Sequence, residues 1–534
     1  MNIKPINRRN SVATIVILTL VLSTLLPTFS LILATTSGPN DSLIVVFKGK
    51  TLPSDYASII QDAGGTVELA IPDIGALAAR PTTSTEDFTS RVTQNAKVQG
   101  VAPNMQMDLI MPDTLAADPV DSYYDGLDPE THAPHPFPFP PLPPDFFYTT
   151  PQQWSVHRVH ATPGEAWSIT TGSPSVVVAI LDTGVSSVHP DTGPKLVGAV
   201  SFTGPTPCDD GSPEDQFGHG TWTASLAAGA MGNAGLVVGV APSVSILNVK
   251  VLARVPDPTV APPLFNQCRL GGGSGSFAGV LAGIVYAANA GADVISMSLG
   301  GFVDKSSAGG GLLHATMTRA TDHAVAAGSV IVASSGNSAL DLNRIGPFVH
   351  LPSDLANVVS VSATTNPALL PPTPPPRQPC SAGADCLAFY SNFGTSLHGL
   401  AAPGGDLPAG GSPGPTGFVR GACSPGVPGT VPGLPGPGTS FGCFSFAGAA
   451  QHAWYVQAIG TSASAPHVAG VAALVRSVNP SLSSTQVRAV LYQTAEDIGK
   501  VGYDELFGFG LVNAYAAVLK GQTFASAGST ARPA

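Results

Sequence analysis

The chain has 534 residues, including 60 glycines and 51 prolines, and only 11% of its residues are charged, against roughly 25% in typical soluble domains. Apolar residues still make up 43% of the sequence, which is enough for a large core and excludes a disordered polyelectrolyte. The formal net charge of −11 leaves no basic field to attract nucleic acid or an anionic membrane, so neither is expected as a partner.

The N-terminus predicts export. Arg8 and Arg9 precede an apolar run over residues 12–33, and a positive head followed by an apolar stretch is typical of a secretory signal. We therefore interpret residues 1–34 as a signal peptide of a secreted, extracellular protein. Because about 20 apolar residues can also span a bilayer, an uncleaved N-terminal membrane anchor is the alternative.

Residues 40–111 predict a small α+β domain in the order strand, helix, strand, strand, helix, strand. The predicted segments are residues 43–48, Tyr56–Ala63, Val67–Ile71, Ile74–Ala79, Phe88–Gln94 and Val98–Pro103. Residues 112–150 are rich in proline, which neither a helix interior nor a central strand accommodates. This stretch therefore predicts an extended, accessible linker.

Residues 151–520 predict an α/β domain. Short apolar runs alternate there with helical segments, and this pattern indicates a mainly parallel sheet with helices on both faces. The runs are Val176–Leu181, Ile246–Val251, Val294–Met297, Val330–Ser334 and Val358–Ala363, and the helical segments include Ser276–Ala290 and Leu312–Ala327. Loop insertions are predicted near residues 254–275 and, rich in glycine and proline, at 365–386 and 403–457, with a flexible tail at 521–534.

Polar residues follow these apolar runs where parallel sheets bind ligands, beyond the carboxyl ends of the strands. Asp182 directly follows the first run and Asn337 follows the fourth. His219 begins one helical stretch, and Ser462 begins an amphipathic helix. The sequence therefore predicts that these four side chains meet at one edge of the sheet.

These residue types suit acyl transfer to a serine nucleophile. The Ser462 hydroxyl needs a base, which His219 can supply near neutral pH, and Asp182 can fix the imidazole tautomer. The oxyanion needs donors, for which the Asn337 amide and the Ser462 backbone N–H are candidates. Each residue alone is typical of a cap or a turn, so the prediction depends on all four occurring together.

Two other serine motifs are rejected as nucleophiles. Residues 410–414 and 438–442 match Gly-x-Ser-x-Gly, but that elbow needs a strand before the serine and a helix after it. Both stretches lie in segments rich in glycine and proline, where neither a strand nor a helix is predicted. His467, five residues after Ser462, is interpreted as a helix residue and not as a second base.

The segments around Asp182, His219, Asn337 and Ser462 resemble the four signature blocks of the subtilisin-like serine proteases, over roughly residues 150–520. The resemblance implies a serine endopeptidase that works through an acyl-enzyme and needs no cofactor for its chemistry. Residues 40–111 resemble the family's inhibitor-like propeptide, which implies a zymogen that removes its own intramolecular inhibitor. The partners are then protein and peptide substrates, and we expect a monomer.

The resemblance also implies where substrate binds. One extended segment would pair with the substrate backbone, and a second would complete the pocket for the residue before the scissile bond. The implied residues are Ser298, Leu299, Gly300, Ser334, Ser335 and Gly336. Because these walls contain no acid, we expect broad specificity with a preference for medium or large apolar residues.

The sequence departs from the family pattern beside the nucleophile and beside the base. Ala463 stands where methionine is usual, and Trp222 stands where a second histidine is common. Neither substitution removes a group that transfers protons. We therefore expect altered packing near the pocket and retained chemistry.

Six cysteines in an exported chain predict disulfides, with 15 possible connectivities. Proximity in sequence favours Cys380–Cys386 and Cys423–Cys443, which leaves Cys208–Cys268. Structural calcium is a further expectation from the resemblance. The candidate ligands are Asp191, Asp209, Asp210, Glu214 and Asp215, although the cluster 209–215 is also typical of a solvated loop.

Two other functions stay open at this stage. The fold could serve as a binding module without catalysis, although the four intact residues argue against it. The loop insertions are also compatible with a processing enzyme that has a single protein target. Cleavage of an unrelated protein such as casein would count against that second function.

Overall fold

The computed structural model describes residues 42–109, 143–369, 383–406, 417–424, 443–445 and 450–524. The predicted signal peptide, most of the linker, much of the Gly/Pro-rich loops and the C-terminal tail lie outside these residues. Within the described ranges, no helix combines the length and the apolar character needed to cross a membrane.

The N-terminal region forms the predicted α+β arrangement. Its elements are β1 (Leu43–Phe47), α1 (Tyr56–Asp62), β2 (Gly65–Ile71), β3 (Ala76–Pro81), α2 (Thr85–Thr93), β4 (Val98–Pro103) and β5 (Gln106–Asp108). The first four strands form an antiparallel sheet in the order β2-β3-β1-β4. Side chains such as Phe47, Ile60 and Phe88 fill the core between this sheet and the two helices.

One N-terminal strand begins later than predicted. The sequence predicts a strand over Ile74–Ala79, whereas β3 starts at Ala76 after a 3-10 turn over Pro72–Ile74. Gly75 ends that turn at φ 63°, a left-handed conformation that strands do not adopt. The apolar pattern located the strand, but the turn fixed its first residue.

The larger region carries the remaining elements. The strands are β6 (Val177–Asp182), β7 (Leu196–Ser201), β8 (Ser245–Lys250), β9 (Ala253–Arg254), β10 (Gly273–Ser276), β11 (Val294–Met297), β12 (Gly301–Asp304), β13 (Val330–Ser334), β14 (Phe348–Leu351), β15 (Val359–Thr364), β16 (Gly399–Pro403), β17 (Val419–Cys423), β18 (Phe444–Ser445) and β19 (Trp454–Ala458). The helices are α3 (Phe146–Thr149), α4 (Trp154–Arg158), α5 (His219–Ala228), α6 (Leu264–Leu270), α7 (Phe277–Asn289), α8 (Ala308–Ala326), α9 (Thr461–Val478), α10 (Ser484–Thr494) and α11 (Ala514–Thr523).

A seven-stranded parallel sheet organises this region, in the order β16-β15-β13-β11-β6-β8-β7. Successive side chains of each strand point to opposite faces of the sheet and therefore belong to two different hydrophobic cores. Val178 and Ile180 of β6 pack with helices α5 and α9, whereas Ala179 and Leu181 pack with α7 and α8. The sheet is thus covered by helices on both faces, which confirms the predicted fold class.

Parallel pairing brings the carboxyl ends of β6, β11 and β13 to one edge of the sheet. Helix α9 crosses under these strands and packs against α5. Both helices begin at this edge, α5 at His219 and α9 at Thr461. The four predicted side chains are therefore carried on elements that converge there.

Two disulfides match the predicted pairing. Cys208 is bonded to Cys268, and Cys423 is bonded to Cys443. Cys386 is also disulfide-bonded. Cys380, its predicted partner, lies outside the described residues. The first bridge closes a loop of 60 residues beside the active-site edge, which limits the freedom of the unfolded chain.

Candidate active site

Asp182 and His219 form a buried, hydrogen-bonded pair. Asp182 ends β6, and its Oδ1 lies 2.7 Å from Nδ1 of His219, the first residue of α5. Both side chains are 1% exposed. The Asp182 carboxylate also accepts hydrogen bonds from the Thr183 N–H at 2.7 Å and the Thr223 hydroxyl at 3.3 Å. These donors compensate the cost of burying its charge and fix its orientation.

The close approach of α5 to β6 depends on a glycine. A Cβ built on Gly220 would lie 2.0 Å from the Gly184 carbonyl oxygen and 3.1 Å from the Asp182 Cβ. A larger residue would push the helix away from the strand and lengthen the contact between Asp182 and His219. The glycine after the histidine is thus part of the geometry of the pair.

Asp215 holds the N-terminus of α5. Its carboxylate accepts hydrogen bonds from the backbone N–H groups of Phe217, Gly218 and Thr221 at 2.8–3.0 Å. It also accepts from the Thr183 hydroxyl at 3.0 Å, next to Asp182. Burial raises the pKa of Asp215, while these hydrogen bonds lower it. This calcium candidate therefore acts as a helix cap that positions His219.

Ser462 lies in the first turn of α9 and is 8% exposed. Its hydroxyl donates to the Ser298 carbonyl oxygen at 3.4 Å, and the Ser298 hydroxyl donates to the Ser462 carbonyl oxygen at 2.9 Å. These contacts join the start of α9 to the end of β11. The helix N-terminus adds a positive partial charge next to the serine.

The Asn337 amide is oriented by its oxygen. Oδ1 accepts hydrogen bonds from the backbone N–H and the hydroxyl of Thr461, both at 2.8 Å. A Cβ built on Gly460 would lie 3.4 Å from Asn337 Nδ2 and 3.6 Å from the Ser462 backbone nitrogen. The two donors predicted from sequence thus lie close to one another at the start of α9.

The departure at Trp222 is explained by packing behind the base. The indole ring meets the His219 ring edge to face at 5.6 Å, and its Nε1 donates to the Val419 carbonyl oxygen at 3.3 Å. Gly421 of β17 passes close by, since a Cβ on it would lie 2.5 Å from Trp222 Cδ1. Trp222 therefore buttresses the imidazole against the small sheet of β17, β19 and β18.

The predicted substrate groove holds part of the N-terminal region. Strand β5 pairs antiparallel with β10, and Asp108 forms an antiparallel bridge with Gly300. Leu109 donates its N–H to the Gly273 carbonyl oxygen at 2.9 Å. Residues 106–109 therefore run between β10 and the segment Ser298–Gly300.

Strand β10 is a wall of this groove that the sequence did not reveal. Residues 254–275 were interpreted as an insertion, and Gly273–Ser276 carries no apolar run. The available signal was the alternation of glycine and serine, which leaves room for a second chain. A Cβ on Gly273 would lie 2.6 Å from the Leu109 side chain.

Most calcium candidates in the 209–215 cluster have protein partners. Asp209 forms a buried ion pair with Lys250 at 2.8 Å. Asp210 accepts from the Ser212 N–H at 2.8 Å, and Glu214 accepts from the Ser187 N–H at 3.1 Å. Among the described residues, no group of three or more His, Cys, Asp or Glu side chains is placed to hold a metal ion.

His467 is a helix residue, as predicted. It is fully buried in α9, and its Nδ1 lies 2.7 Å from the Ala463 carbonyl oxygen one turn earlier. Burial lowers its pKa to about 4, so the ring is neutral near pH 7. Ala463 itself is completely buried.

Comparison with known proteins identifies the family of this chain. The subtilase family model matches residues 173–510. Thermitase of Thermoactinomyces vulgaris is 31% identical over 371 residues, covering 70% of this chain and 97% of that protein. The alkaline elastase YaB of a Bacillus strain is 34% identical over 365 residues, covering 68% of this chain and 69% of the elastase.

A solved structure shows the same fold. Fervidolysin from Fervidobacterium pennivorans, described as a keratinolytic enzyme related to subtilisin, superposes with a TM-score of 0.60 at 21% identity. The match covers 90% of this chain and 61% of fervidolysin. It therefore extends beyond the region that the family model matches.

Proposed function

The chain belongs to the subtilase family and is a serine-type endopeptidase, and on this basis we propose that Ser462 is its nucleophile, His219 its general base and Asp182 the acid that orients the base. The observation that carries this assignment is the buried 2.7 Å contact of Asp182 with His219 Nδ1, at the sheet edge where Ser462 begins α9. The family needs no cofactor for its chemistry.

In the proposed mechanism, Ser462 Oγ attacks the scissile carbonyl carbon and gives its proton to His219 Nε2. Asp182 accepts the Nδ1–H, which keeps Nε2 as the acceptor and stabilises the imidazolium that forms. His219 then returns the proton to the leaving amine, which gives an acyl-enzyme. Water, activated by the same base, releases the product and restores the Ser462 hydroxyl.

Two hydrogen-bond donors, Asn337 Nδ2 and the Ser462 backbone N–H, are proposed to stabilise the negative charge on the oxygen of the tetrahedral intermediate. The bond from Thr461 to Asn337 Oδ1 supports this role because it leaves the amide nitrogen on the side of Ser462. Losing one such donor costs a factor of about 10²–10³ in kcat. Preorganisation explains the size of the effect, since the donor needs no reorientation during the reaction.

We further propose that residues 40–111 are a propeptide that inhibits the enzyme until it is cleaved. The pairing of β5 with β10 supports this, because the chain then occupies the substrate groove as an added strand. Polar contacts also join the domain to helices α7 and α8. Arg319 donates to the Phe47 carbonyl oxygen at 2.9 Å, and Asn289 donates to the Asp73 carboxylate at 3.0 Å.

The register suggests where the first cut falls. In an antiparallel pair, each step forward on one strand is a step back on the other. Because Asp108 bridges Gly300, a register that continued unchanged would bring position 110 opposite Ser298. The Ser298 carbonyl oxygen lies 3.4 Å from Ser462 Oγ. We therefore expect self-cleavage between residues 110 and 111, one residue before the predicted end of the propeptide region.

Residues 143–150 are expected to stay with the mature enzyme. The ring of Phe147 is completely buried, under the Arg420 guanidinium at 4.4 Å and against Tyr455 at 5.2 Å. Its backbone N–H also donates to the Leu236 carbonyl oxygen at 2.9 Å. Removing this segment would expose a buried apolar cluster, so we place the mature N-terminus between residues 111 and 143.

Mass spectrometry of secreted protein tests the propeptide proposal. We expect a released fragment that starts near residue 35 and ends at residue 110, and a mature chain that starts between residues 111 and 143. The Ser462→Ala protein should keep its full length apart from the signal peptide, because cleavage is assigned to its own active site. Trimming of that variant at position 110 in a protease-free host would contradict self-processing.

Secretion completes the proposal. It is supported by the positive head and apolar run of residues 1–34 and by the disulfides, which form in oxidising compartments. The same mass measurement separates a cleaved signal from an uncleaved membrane anchor. Protein that remains in the membrane fraction with Met1 intact would favour the anchor.

We also propose that Asp191 holds a structural calcium ion. It is completely buried, and within the described residues neither carboxylate oxygen has a hydrogen-bond partner of normal geometry. The site is tight, since a Cβ on Gly235 would lie 1.6 Å from Oδ1. Burial raises the pKa of Asp191 to about 8. The neighbouring His189 supplies no charge, because burial lowers its pKa to about 4.

The residues present fit a cation. The Asn233 side chain and the backbone N–H groups of Leu236 and Val237 face this carboxylate, but among the described residues none completes a hydrogen bond of normal geometry with it. Burying the charge is therefore costly, and a divalent ion with oxygen ligands would offset that cost. Asp191 and the side chain of Asn233, which faces it, would hold the ion. The ion would stabilise the loop over residues 231–237 and take no part in the chemistry.

Chelation tests this assignment. We expect EDTA to lower the unfolding temperature of the mature enzyme and added calcium to restore it, because the ion binds only the folded state. Asp191→Asn should abolish the response to calcium. Asp210→Asn, which changes a partly exposed carboxylate of the predicted cluster, should keep that response in full. An unfolding temperature that is insensitive to EDTA in wild type would contradict the proposal.

Specificity is proposed to be broad, with a preference for apolar residues before the scissile bond. Backbone pairing in the groove supports breadth because it reads no side chains. The segments Ser298–Gly300 and Ser334–Gly336 are buried and carry no charged side chain, which supports the apolar preference. A peptide library that showed dominant cleavage after lysine or arginine would contradict it.

A further inference from the structure

A histidine that the sequence did not single out lies between the two proposed walls of the substrate pocket. A Cβ built on Gly300 would lie 2.2 Å from Cε1 and 2.5 Å from Nε2 of His350. One built on Gly336 would lie 3.1 Å from Nε2 and 3.3 Å from Cε1. The Cε1–Nε2 edge of the ring therefore fills the space between the two glycines.

The fold holds this ring in place from behind. His350 belongs to β14, which pairs antiparallel with β12 so that His350 is opposite Phe302. The Phe302 ring meets the imidazole edge to face at 5.0 Å. Strand β12 begins at Gly301, directly after the wall segment Ser298–Gly300. The pairing of these two strands, which are distant in sequence, thus fixes His350 beside the wall segment.

One ring nitrogen is used and the other is not. Nδ1 lies 2.8 Å from the Ser353 hydroxyl, which itself donates to the His350 carbonyl oxygen at 3.2 Å. Because the hydroxyl has one hydrogen, Nδ1 carries the ring hydrogen and Nε2 is left as an acceptor. Nε2 is buried and has no hydrogen-bond partner among the residues that the structure describes.

An unpartnered buried nitrogen between two segments assigned to substrate binding indicates a ligand group that completes it. His350 is 1% exposed, so bulk water does not take that role. Burial lowers its pKa to about 4, and the ring is therefore neutral near pH 7. A neutral acceptor pairs with an amide N–H of a substrate side chain at no cost in charge burial.

We propose that His350 is the specificity-determining residue of the pocket for the residue before the scissile bond. The ring closes the pocket floor and so limits the length of the side chain that enters. Its Nε2 accepts a hydrogen bond from that side chain. The favoured residues are thus of medium length, and an amide-bearing side chain is preferred to an apolar one of equal size. This inference rests on the proposed function and modifies its apolar preference, since it adds amide-bearing side chains of medium length to the favoured residues.

Two matched pairs of peptides test it on the mature enzyme. The peptides differ only in the residue before the scissile bond, leucine against phenylalanine and glutamine against methionine. For wild type, we expect kcat/KM to favour leucine over phenylalanine, and glutamine over methionine by roughly three- to tenfold, the range of one neutral hydrogen bond. These wild-type ratios test the proposal even if no variant folds.

The variant His350→Ala separates the two roles. Because the variant has a smaller side chain at the floor of the pocket, the ratio of kcat/KM for the phenylalanine peptide to that for the leucine peptide should rise at least about tenfold. Because the acceptor is lost, the ratio of kcat/KM for the glutamine peptide to that for the methionine peptide should fall close to one. His350→Gln, which keeps a polar side chain at the floor, should retain the wild-type order. His398→Ala, which changes an exposed histidine, should leave both ratios unchanged.

Each ratio measured for His350→Ala tests one of the two roles proposed for His350. An unchanged ratio of phenylalanine to leucine in His350→Ala would overturn the limit on length, and an unchanged ratio of glutamine to methionine would overturn the hydrogen bond. Labelling with a fluorophosphonate separates this test from the proposed function. Labelled enzyme with unchanged ratios refutes the inference alone, whereas wild-type enzyme that is not labelled at Ser462 refutes the catalytic assignment.

Discussion

Replacing Ser462 with alanine is expected to abolish peptide hydrolysis. The hydroxyl oxygen is assigned as the atom that forms the acyl-enzyme, and without it neither His219 nor Asn337 has a covalent intermediate to act on. In subtilisin, a member of this family, loss of the nucleophile lowers kcat by about 10⁶. We expect a loss of the same order, measured as kcat on a chromogenic peptide and as release of soluble fragments from casein.

Ser464, two residues further along α9, provides the control. Ser464 is fully buried in α9, and its hydroxyl has no hydrogen-bond partner within the described residues. Ser464→Ala therefore removes a similar group from the same turn at little cost in stability, and we expect kcat within a few-fold of wild type. If Ser464→Ala lost activity while Ser462→Ala kept it, the assignment of the nucleophile would be wrong.

Replacing Asp182 with asparagine is expected to lower kcat by about 10⁴ with little change in KM. An asparagine amide at this position would donate to Nδ1 of His219, whereas the carboxylate accepts from it at 2.7 Å. The ring hydrogen would then move to Nε2, and that nitrogen could no longer take the proton of Ser462. Because the substitution leaves the shape of the site nearly unchanged, the fall in kcat would report the change of the His219 tautomer.

The unfolding temperature distinguishes this effect from misfolding. We expect Asp182→Asn to unfold cooperatively and to keep its binding of a peptide inhibitor. By contrast, Asp215→Asn replaces one of the two oxygens that accept from the N–H groups at the start of α5 by an amide donor, and it should lower stability as well as activity. Activity of Asp182→Asn within tenfold of wild type would show that His219 does not need an acid partner.

Local sequence pattern was sufficient to predict the positions of the catalytic candidates. In the sequence, Asp182 and Asn337 follow short apolar runs, and short runs rich in valine and isoleucine are typical of strands that are buried on both faces of a parallel sheet. The topology then brings the ends of β6 and β13 to one edge. His219 and Ser462 lie in the first turns of helices that begin at this edge, so the structure brings the elements carrying the predicted residues together.

The walls of the pocket were harder to predict because they depend on contacts between distant segments. His350 reaches the pocket through the pairing of β14 with β12, and nothing in the local sequence sets that register. Gly273–Ser276 forms β10 without an apolar run, since its partner β5 comes from a different part of the chain. In both cases the position of the side chain is decided by its partner strand.

The end of the predicted linker illustrates the same limit. Residues 112–150 were interpreted as one extended stretch from their proline content. In the structure, Phe146–Thr149 forms a short helix, and Phe147 is completely buried against Tyr455. The partner lies some 300 residues away, so composition alone predicted exposure for a residue that tertiary packing buries.

Active-site labelling tests the catalytic assignment most directly. Mature enzyme is treated with a fluorophosphonate, digested and mapped by mass spectrometry, beside a His219→Ala variant that shows a wild-type circular dichroism spectrum. We predict one adduct per chain, on the Ser462 hydroxyl, formed at least about 10³ times more slowly when the imidazole is absent. An adduct on another serine, or equal labelling rates with and without the imidazole, would contradict the account.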